Sequence, residues 1–268
     1  MKFWTNLLLA VLPLLTQAAE LPQTRHKFVV IAHRGNHARA HENTLTALQH
    51  AIDAGADYAE IDVRRTMDGH YVLMHDRDVE RMTDGHGAVA RLTLAQIRNL
   101  RVQDLSRPQI PADRVPTFEE ALQLVKGQIN IYLDFKEGER SVVAKAIRDA
   151  GVTRQILVYD GDEAVAEWHR VAPELPLIVS LPDDIKTAQQ MLQFAKSKDI
   201  EVLDGSWRGY SAEMVQAVQR SGVKIWPDIQ SAQENADYFK GVLKLGVSGV
   251  QTDHPEALIA WLQEHHLR

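Results

Sequence analysis

Short β-branched runs recur along the chain at residues 28–32, 58–63, 71–74, 129–135, 155–159, 177–181, 200–203, 223–226 and 249–252. Between most of them lie segments whose apolar residues return at three- and four-residue steps, including 44–54, 118–125, 141–150, 184–196, 212–221 and 256–264, the spacing of an amphipathic helix. Dense strand-helix alternation predicts a parallel sheet, and this many units predicts a closed (β/α)8 barrel of the TIM type. The alternative is an open doubly wound sheet. The barrel needs eight strands and there are nine runs, a surplus that Asp68-Gly69 explains as a hairpin turn near strand 2. With those two as turn residues, Met67 faces His70, Thr66 faces Tyr71, and Asp62 faces His75. After His75-Asp76, residues 76–115 are polar without strong periodicity, apart from a short helical segment around 94–100. They are expected to form an insertion over the barrel mouth, with a passive excursion as the alternative. No internal repeat, low-complexity tract or linker divides the chain, so residues 20–268 read as one domain.

The first nineteen residues read differently. Lys2 precedes an apolar run at 7–15 and then Thr16-Gln17-Ala18-Ala19, the pattern of a signal peptide cleaved after Ala18 or Ala19. The run is shorter than the roughly 20 residues of a spanning helix. A periplasmic or secreted protein without a stable membrane anchor is expected. Removing the leader takes away Lys2 and makes the mature chain one unit more negative than the −6 of the whole. Without a basic run there is no electrostatic footprint for nucleic acid or anionic lipid, which leaves a small molecule as the expected partner. The chain has no cysteine, which excludes disulfides, thiolate zinc sites, cysteine nucleophiles and a lipidated N-terminal cysteine.

The informative residues fall at the carboxyl ends of the early runs, where barrel enzymes place their chemistry. The first ends in His33-Arg34-Gly35: a proton-transfer group beside a fixed cation, with glycine freeing the backbone to turn. Adjacent strand residues face opposite ways, so both can serve one site only if Gly35 ends the strand early. Glu60 and Asp62 lie two apart on one strand face and need a cation between them, and oxygen ligands favour Ca2+ or Mg2+. Solvated edge acids are the alternative, made less apt by the alternation with Ile61 and Val63. The hairpin return brings His75, so that one histidine can remove a proton while the other supplies one. Asp134 and Lys136 repeat the two-residue spacing, either as a third metal ligand with an anion-binding lysine or as an isolated ion pair. Together these groups suit a phosphodiester and the charge it gains in its transition state. A glycosidase would need two carboxylates at a set separation and no cluster of cations.

The motifs His33-Arg34-Gly35, Glu42-Asn43-Thr44, Glu60-Ile61-Asp62-Val63, His75-Asp76, Arg81-Met82-Thr83-Asp84-Gly85, Val115-Pro116-Thr117-Phe118-Glu119-Glu120, Asp134-Phe135-Lys136 and Gly249 to Pro255 run through nearly all of the mature chain. In this order and spacing the sequence resembles the glycerophosphodiester phosphodiesterases, within the superfamily that also holds phosphatidylinositol-specific phospholipases C. The resemblance implies metal-dependent hydrolysis of a glycerophosphodiester to an alcohol and sn-glycerol 3-phosphate, by direct water attack or through a cyclic phosphate. It implies His33 and His75 as acid and base, Glu60, Asp62 and Asp134 as ligands of one Ca2+ or Mg2+, and Arg34 and Lys136 on the phosphate. Three positions depart from the family pattern. Asp134 stands where glutamate is more usual, His41 where proline is, and Trp226-Pro227-Asp228 in place of Trp-Thr-Val-Asn.

His33, His37 and His41 recur every four residues, but Gly35 interrupts any helix that would make them a metal stripe. Trp226, near the end of a late run, is a candidate substrate contact, with core packing as the alternative. Two rivals remain: a phospholipase D-type activity on lysophospholipids, which would want an apolar rim, and a catalytically silent binding protein, which would not need both histidines and all three acids.

Overall fold

All nine apolar runs form strands in the computed structural model, which describes residues 19–104 and 106–268. Positions 1–18 of the expected leader lie outside the described residues. In chain order the strands are β1 (Val29–Ala32), β2 (Tyr58–Arg65), β3 (Tyr71–Leu73), β4 (Arg101–Val102), β5 (Asp113–Arg114), β6 (Asn130–Phe135), β7 (Ile156–Tyr159), β8 (Leu177–Ser180), β9 (Val202–Asp204), β10 (Lys224–Ile225) and β11 (Gly249–Thr252). The helices are α1 (Leu45–Ala54), α2 (Leu94–Arg98), α3 (Phe118–Val125), α4 (Arg140–Ala150), α5 (Val165–Val171), α6 (Ala188–Lys198), α7 (Ala212–Gln219), α8 (Ala236–Leu243) and α9 (Pro255–Glu264). Eight parallel strands run β10-β9-β8-β7-β6-β2-β1-β11 around the sheet. Past the end of β10, Ile229 N donates to Gln251 O at 2.9 Å and Gln251 N to Pro227 O at 3.0 Å, which joins the two ends of the sheet. The barrel is closed, and the open-sheet alternative is set aside.

Strand composition follows from this enclosure. Strands buried on both faces carry near-continuous apolar residues, as in VVIA of β1 and ILVY of β7. Within β2 the parity is informative: Ala59, Ile61 and Val63 pack outward with the helices, whereas Tyr58 joins Val29, Ile31, Tyr132 and Trp226 inside the barrel. Glu60 and Asp62 share the inward face of Tyr58, one and two steps nearer the carboxyl end. In the neighbouring strand Asp134 is the register partner of Asp62, and Tyr132 of Glu60. The sheet itself therefore sets three acids on its inner wall.

Local signals fix the helix ends. Thr44 caps α1 by accepting from Ala47 N, and Thr117 with Glu120 makes a reciprocal capping box on α3. Helix α6 starts four residues later than periodicity predicts, because Thr187 and Gln190 form a capping box there. At the amino-terminal end of the barrel, Asp57 and the C-terminal Arg268, both with side chains 1% exposed, pair at 2.7 Å.

The expected hairpin register needs correction. The pairing is Val63 with Leu73 and Arg65 with Tyr71, one residue from the expected register, so Asp62 meets Met74 (Met74 N to Asp62 O, 3.0 Å) rather than His75. The loop has three residues, Met67, Asp68 and Gly69, because Thr66 closes it: its N bonds His70 O at 2.8 Å and its Oγ1 accepts from His70 N at 3.0 Å. Gly69 takes the left-handed φ of 88° that such a loop requires. The insertion contains the expected short helix and further order besides. It holds α2 and the β4–β5 ladder, and Val79, Met82, Val89, Ile97 and Val102 pack with Val72, Met74 and Val115 into a small core of their own.

Candidate active site

The mouth of the barrel is organised by the turn after β1. This strand stops at Ala32, before His33, and Arg34 and Gly35 take consecutive left-handed φ values of 51° and 77°. The reversal brings both His33 and Arg34 to the mouth and removes the conflict of adjacent strand residues. A Cβ on Gly35 would stand 2.8 Å from the Ala47 carbonyl carbon, so only glycine lets the turn lie against α1. From the turn, Arg34 N donates to Glu60 Oε2 at 2.7 Å and Arg34 Nη1 to Glu42 Oε1 at 3.0 Å.

Glu60, Asp62 and Asp134 each present an oxygen within 4.8 Å of the others. Lys136 Nζ bridges two of them, at 2.5 Å from Asp134 Oδ2 and 3.0 Å from Asp62 Oδ1, and Arg34 Nε lies 3.5 Å from Asp62 Oδ2. Asn43 holds Asp62 from both sides, donating to its Oδ2 at 2.7 Å and accepting from its backbone N at 3.0 Å. Two side-chain cations thus face three carboxylates, two of them buried and that of Asp134 half-buried, and the mismatch falls on Glu60. Burial, then the negative charges of Asp62 and Asp134, push its carboxyl well above the ordinary range. Burial likewise pushes Asp134 up to about 6 against the pull of Lys136. For Asp62 burial is outweighed by Lys136 and Arg34, and its carboxyl is held low. An oxygen-only pocket short of positive charge fits a hard divalent cation.

Each histidine is backed by a carboxylate at the same ring atom. His33 Nδ1 lies 2.7 Å from Asp253 Oδ1, and His75 Nδ1 lies 2.7 Å from Asp76 Oδ1. Asp76 is gripped by Arg81 Nε at 2.5 Å, which holds its carboxyl below the usual range, and Arg81 Nη2 reaches Glu42 at 2.7 Å. The chain His75, Asp76, Arg81, Glu42, Arg34 therefore links one side of the mouth to the other. Arg64 secures the His75 carbonyl at 2.8 and 2.9 Å.

The far wall carries a second polar cluster. Tyr132 Oη and Ser180 Oγ donate to buried Asp204, and Gln251 Nε2 donates to Asp228 at 2.7 Å. Burial and the neighbouring Asp228 push the Asp204 carboxyl well up. Trp226 is not among the mouth residues. It is 3% exposed, its ring packs 5.4 Å from Tyr58 at the opposite end of β2, and Nε1 bonds Ser248 Oγ. The expected substrate contact is core packing instead. Asp253, Asp76, Asn43, Glu42 and Arg81 each lie in one of the sequence motifs, but no role for them follows from the sequence alone.

A closed α/β barrel with two carboxylate-backed histidines and a cluster of three acids at its carboxyl end has the arrangement of a barrel enzyme suited to anionic esters. The model of the glycerophosphoryl diester phosphodiesterase family matches residues 33–257. The chain belongs to that family, whose members are phosphoric diester hydrolases. It is 29% identical over 241 residues to a glycerophosphodiester phosphodiesterase of Caldanaerobacter subterraneus subsp. tengcongensis, covering 87% of this chain and 97% of that one. It is 36% identical over 136 residues to glycerophosphodiester phosphodiesterase 1 of Mus musculus, over 50% of this chain and 41% of the relative. In fold it is similar to the crystal structure of a glycerophosphodiester phosphodiesterase from Agrobacterium tumefaciens, with a TM-score of 0.77 at 23% identity, covering 87% and 99% of the two chains. The phosphodiesterase of Oleispira antarctica, solved in complex with the product sn-glycerol-3-phosphate, gives a TM-score of 0.75 at 22% identity, over 88% and 96%.

Proposed function

We propose that the enzyme hydrolyses glycerophosphodiesters to an alcohol and sn-glycerol 3-phosphate, with His33 and His75 as the acid-base pair and a Ca2+ or Mg2+ held by Glu60, Asp62 and Asp134. The observation that carries the reading is the convergence, at one barrel end, of three acids short of cations with two histidines each backed by a carboxylate. The product named for the Oleispira relative supports the substrate class.

The hydrogen bonds of the two imidazoles support these roles. Asp253 and Asp76 accept from Nδ1 of their histidines, which leaves each Nε2 as the atom that exchanges a proton. One histidine removes a proton from the attacking hydroxyl oxygen. Its partner gives one to the leaving alkoxide, so charge does not accumulate on either oxygen. Arg34 and Lys136 offer their positive charge to the phosphoryl oxygens. When bound, the divalent ion would supply Lewis-acid polarisation of the phosphate and neutralise charge in the transition state.

Soluble diesters fit better than lysophospholipids. The exposed large hydrophobic side chains among the described residues are Met67, Val142 and Leu267, and the insertion turns its apolar residues into its own core. Among the described residues no apolar rim is left for an acyl chain. Residues 1–19 are proposed as an export signal, on the strength of Lys2, the apolar run and Ala18-Ala19. N-terminal sequencing of the exported protein should begin at Ala19 or Glu20.

The reading is tested by assaying the mature protein on glycerophosphocholine with Ca2+ or Mg2+, with and without chelator, beside His33→Ala and His75→Ala. Release of choline and sn-glycerol 3-phosphate that needs the ion and both histidines is expected. Full turnover in chelator, or in either variant, would refute the assigned roles.

A further inference from the structure

The turn that presents His33 presents a second imidazole with no part in the reaction just described. His37 Nε2 lies 3.2 Å from Asp253 Oδ1, the same oxygen that His33 Nδ1 approaches to 2.7 Å. The two rings stand 6.4 Å apart between centroids at 72°. Their nitrogens and the Asp253 oxygen all lie within 4.8 Å of one another. A tetrahedral ion with bonds of about 2.0–2.2 Å spaces its ligand atoms roughly 3.3–3.5 Å apart. Two sides of the triangle, 2.7 and 3.2 Å, are shorter than that spacing and the third is no more than 4.8 Å, so shifts of about an ångström would seat an ion at its centre.

The donor set also differs in kind from the acid cluster. Two imidazoles and one carboxylate suit a borderline transition ion such as Zn2+, whereas three carboxylates suit Ca2+ or Mg2+. The segment bearing His37 is held in place: Arg107 Nη2 bonds the carbonyls of His37 and Ala38 at 2.7 and 2.8 Å, and Asn36 Nδ2 bonds Glu256 at 3.0 Å. Fixed ligands reorganise little on binding.

We infer that His33, His37 and Asp253 form a second metal site, selective for zinc-like ions, whose occupation switches the enzyme off. An ion at Nδ1 of His33 takes the lone pair of that nitrogen, so the neutral ring's single proton moves through solvent from Nδ1 to Nε2 while Asp253 stays ionised as a ligand. That imidazole can no longer accept a proton, and its contact with Asp253 is replaced by a metal bond. The inhibition rests on the catalytic role proposed for His33, while the binding does not.

The test titrates the full mature protein with Zn2+ against a chromophoric chelator, and with Co2+ by visible absorption, beside His37→Ala and Glu60→Gln. Expected is one zinc whose affinity falls at least tenfold in His37→Ala and persists in Glu60→Gln, with intense tetrahedral Co2+ bands lost in His37→Ala. Circular dichroism checks that His37→Ala is folded, and the Co2+ spectrum of the unaltered protein reports the site without any substitution. Zinc should inhibit hydrolysis without relief by excess Ca2+, and its half-inhibitory concentration should rise at least tenfold in His37→Ala. Unchanged zinc affinity in that variant, or octahedral Co2+ bands, would overturn the site. Zinc bound there without inhibition would leave the ligands standing but overturn the switch, and with it the role of His33 in the reaction.

Discussion

His33 Nδ1 and Asp253 Oδ1 lie 2.7 Å apart although 220 residues separate them in sequence. The contact is possible because β1 and β11 are neighbours in the barrel, with Ala32 in register with Thr252, so the residue after each strand emerges beside the other. Hydrogen bonds from His33 and His37 overcome the effect of burial and hold the Asp253 carboxyl low, so it stays ionised and orients the ring. Asp253→Asn should lower kcat about 100-fold or more, within the range general acid-base groups contribute, with KM changed much less. Steady-state rates on glycerophosphocholine check this; a kcat within a few fold of the parent would show that the pair does not orient His33 for catalysis.

Gly35 should tolerate no side chain. Its φ of 77° and the 2.8 Å approach a Cβ would make to the Ala47 carbonyl carbon both oppose substitution. Gly35→Ala is expected to cost on the order of 2–4 kcal/mol from strain and overlap together. Urea unfolding measures the loss. A midpoint equal to the parent's would mean the turn relaxes freely, and Arg34 would then not be fixed over Glu60.

Much of this was legible in the sequence, and the exceptions have physical reasons. Strands buried on both faces advertise themselves by apolar runs, and Glu60 and Asp62, two residues apart on β2, announce a shared face. The hairpin register is not legible locally because Asp68-Gly69 suits loops of two or three residues, and only the Thr66 side chain, bonded to Asp68 and His70, selects three. Trp226 was misplaced because the tenth strand effectively continues beyond its ladder: Asp228, bridging to Ser206 and Gln251, is the residue at the rim. The partnership of His33 with Asp253 is non-local, and no local pattern encodes it.

The C-terminal Arg268 is expected to matter far more than its position suggests. Its guanidinium pairs with Asp57 at 2.7 Å and also bonds the Gly55 carbonyl, while Asp57 accepts from Val30 N at 3.0 Å and approaches His26 at 2.8 Å. Breaking a buried pair leaves an uncompensated charge, which typically costs about 3–5 kcal/mol. Arg268→Ala should lose about 3 kcal/mol in denaturant unfolding while kcat is retained, since the pair sits at the end of the barrel away from the site. A loss below about 1 kcal/mol would mean that water or His26 takes over the charge.

Glu201 gives a pH dependence whose sign can be worked out. Its Oε2 accepts from Leu177 N at 2.7 Å at the base of β8, and burial pushes its carboxyl up to about 7 from an ordinary 4.5. Between those values the folded chain keeps a proton that the unfolded chain has released, so this group lowers stability as pH rises through the window. Glu201→Gln keeps an acceptor for Leu177 N and does not titrate. Relative to the parent, the variant should therefore gain on the order of 1–2 kcal/mol between pH 4.5 and pH 8, a figure reduced from the full linkage because the side chain still reaches some solvent. Urea midpoints of both proteins at several pH values decide it: diverging curves are expected, and parallel curves would show that Glu201 ionises in the fold without cost.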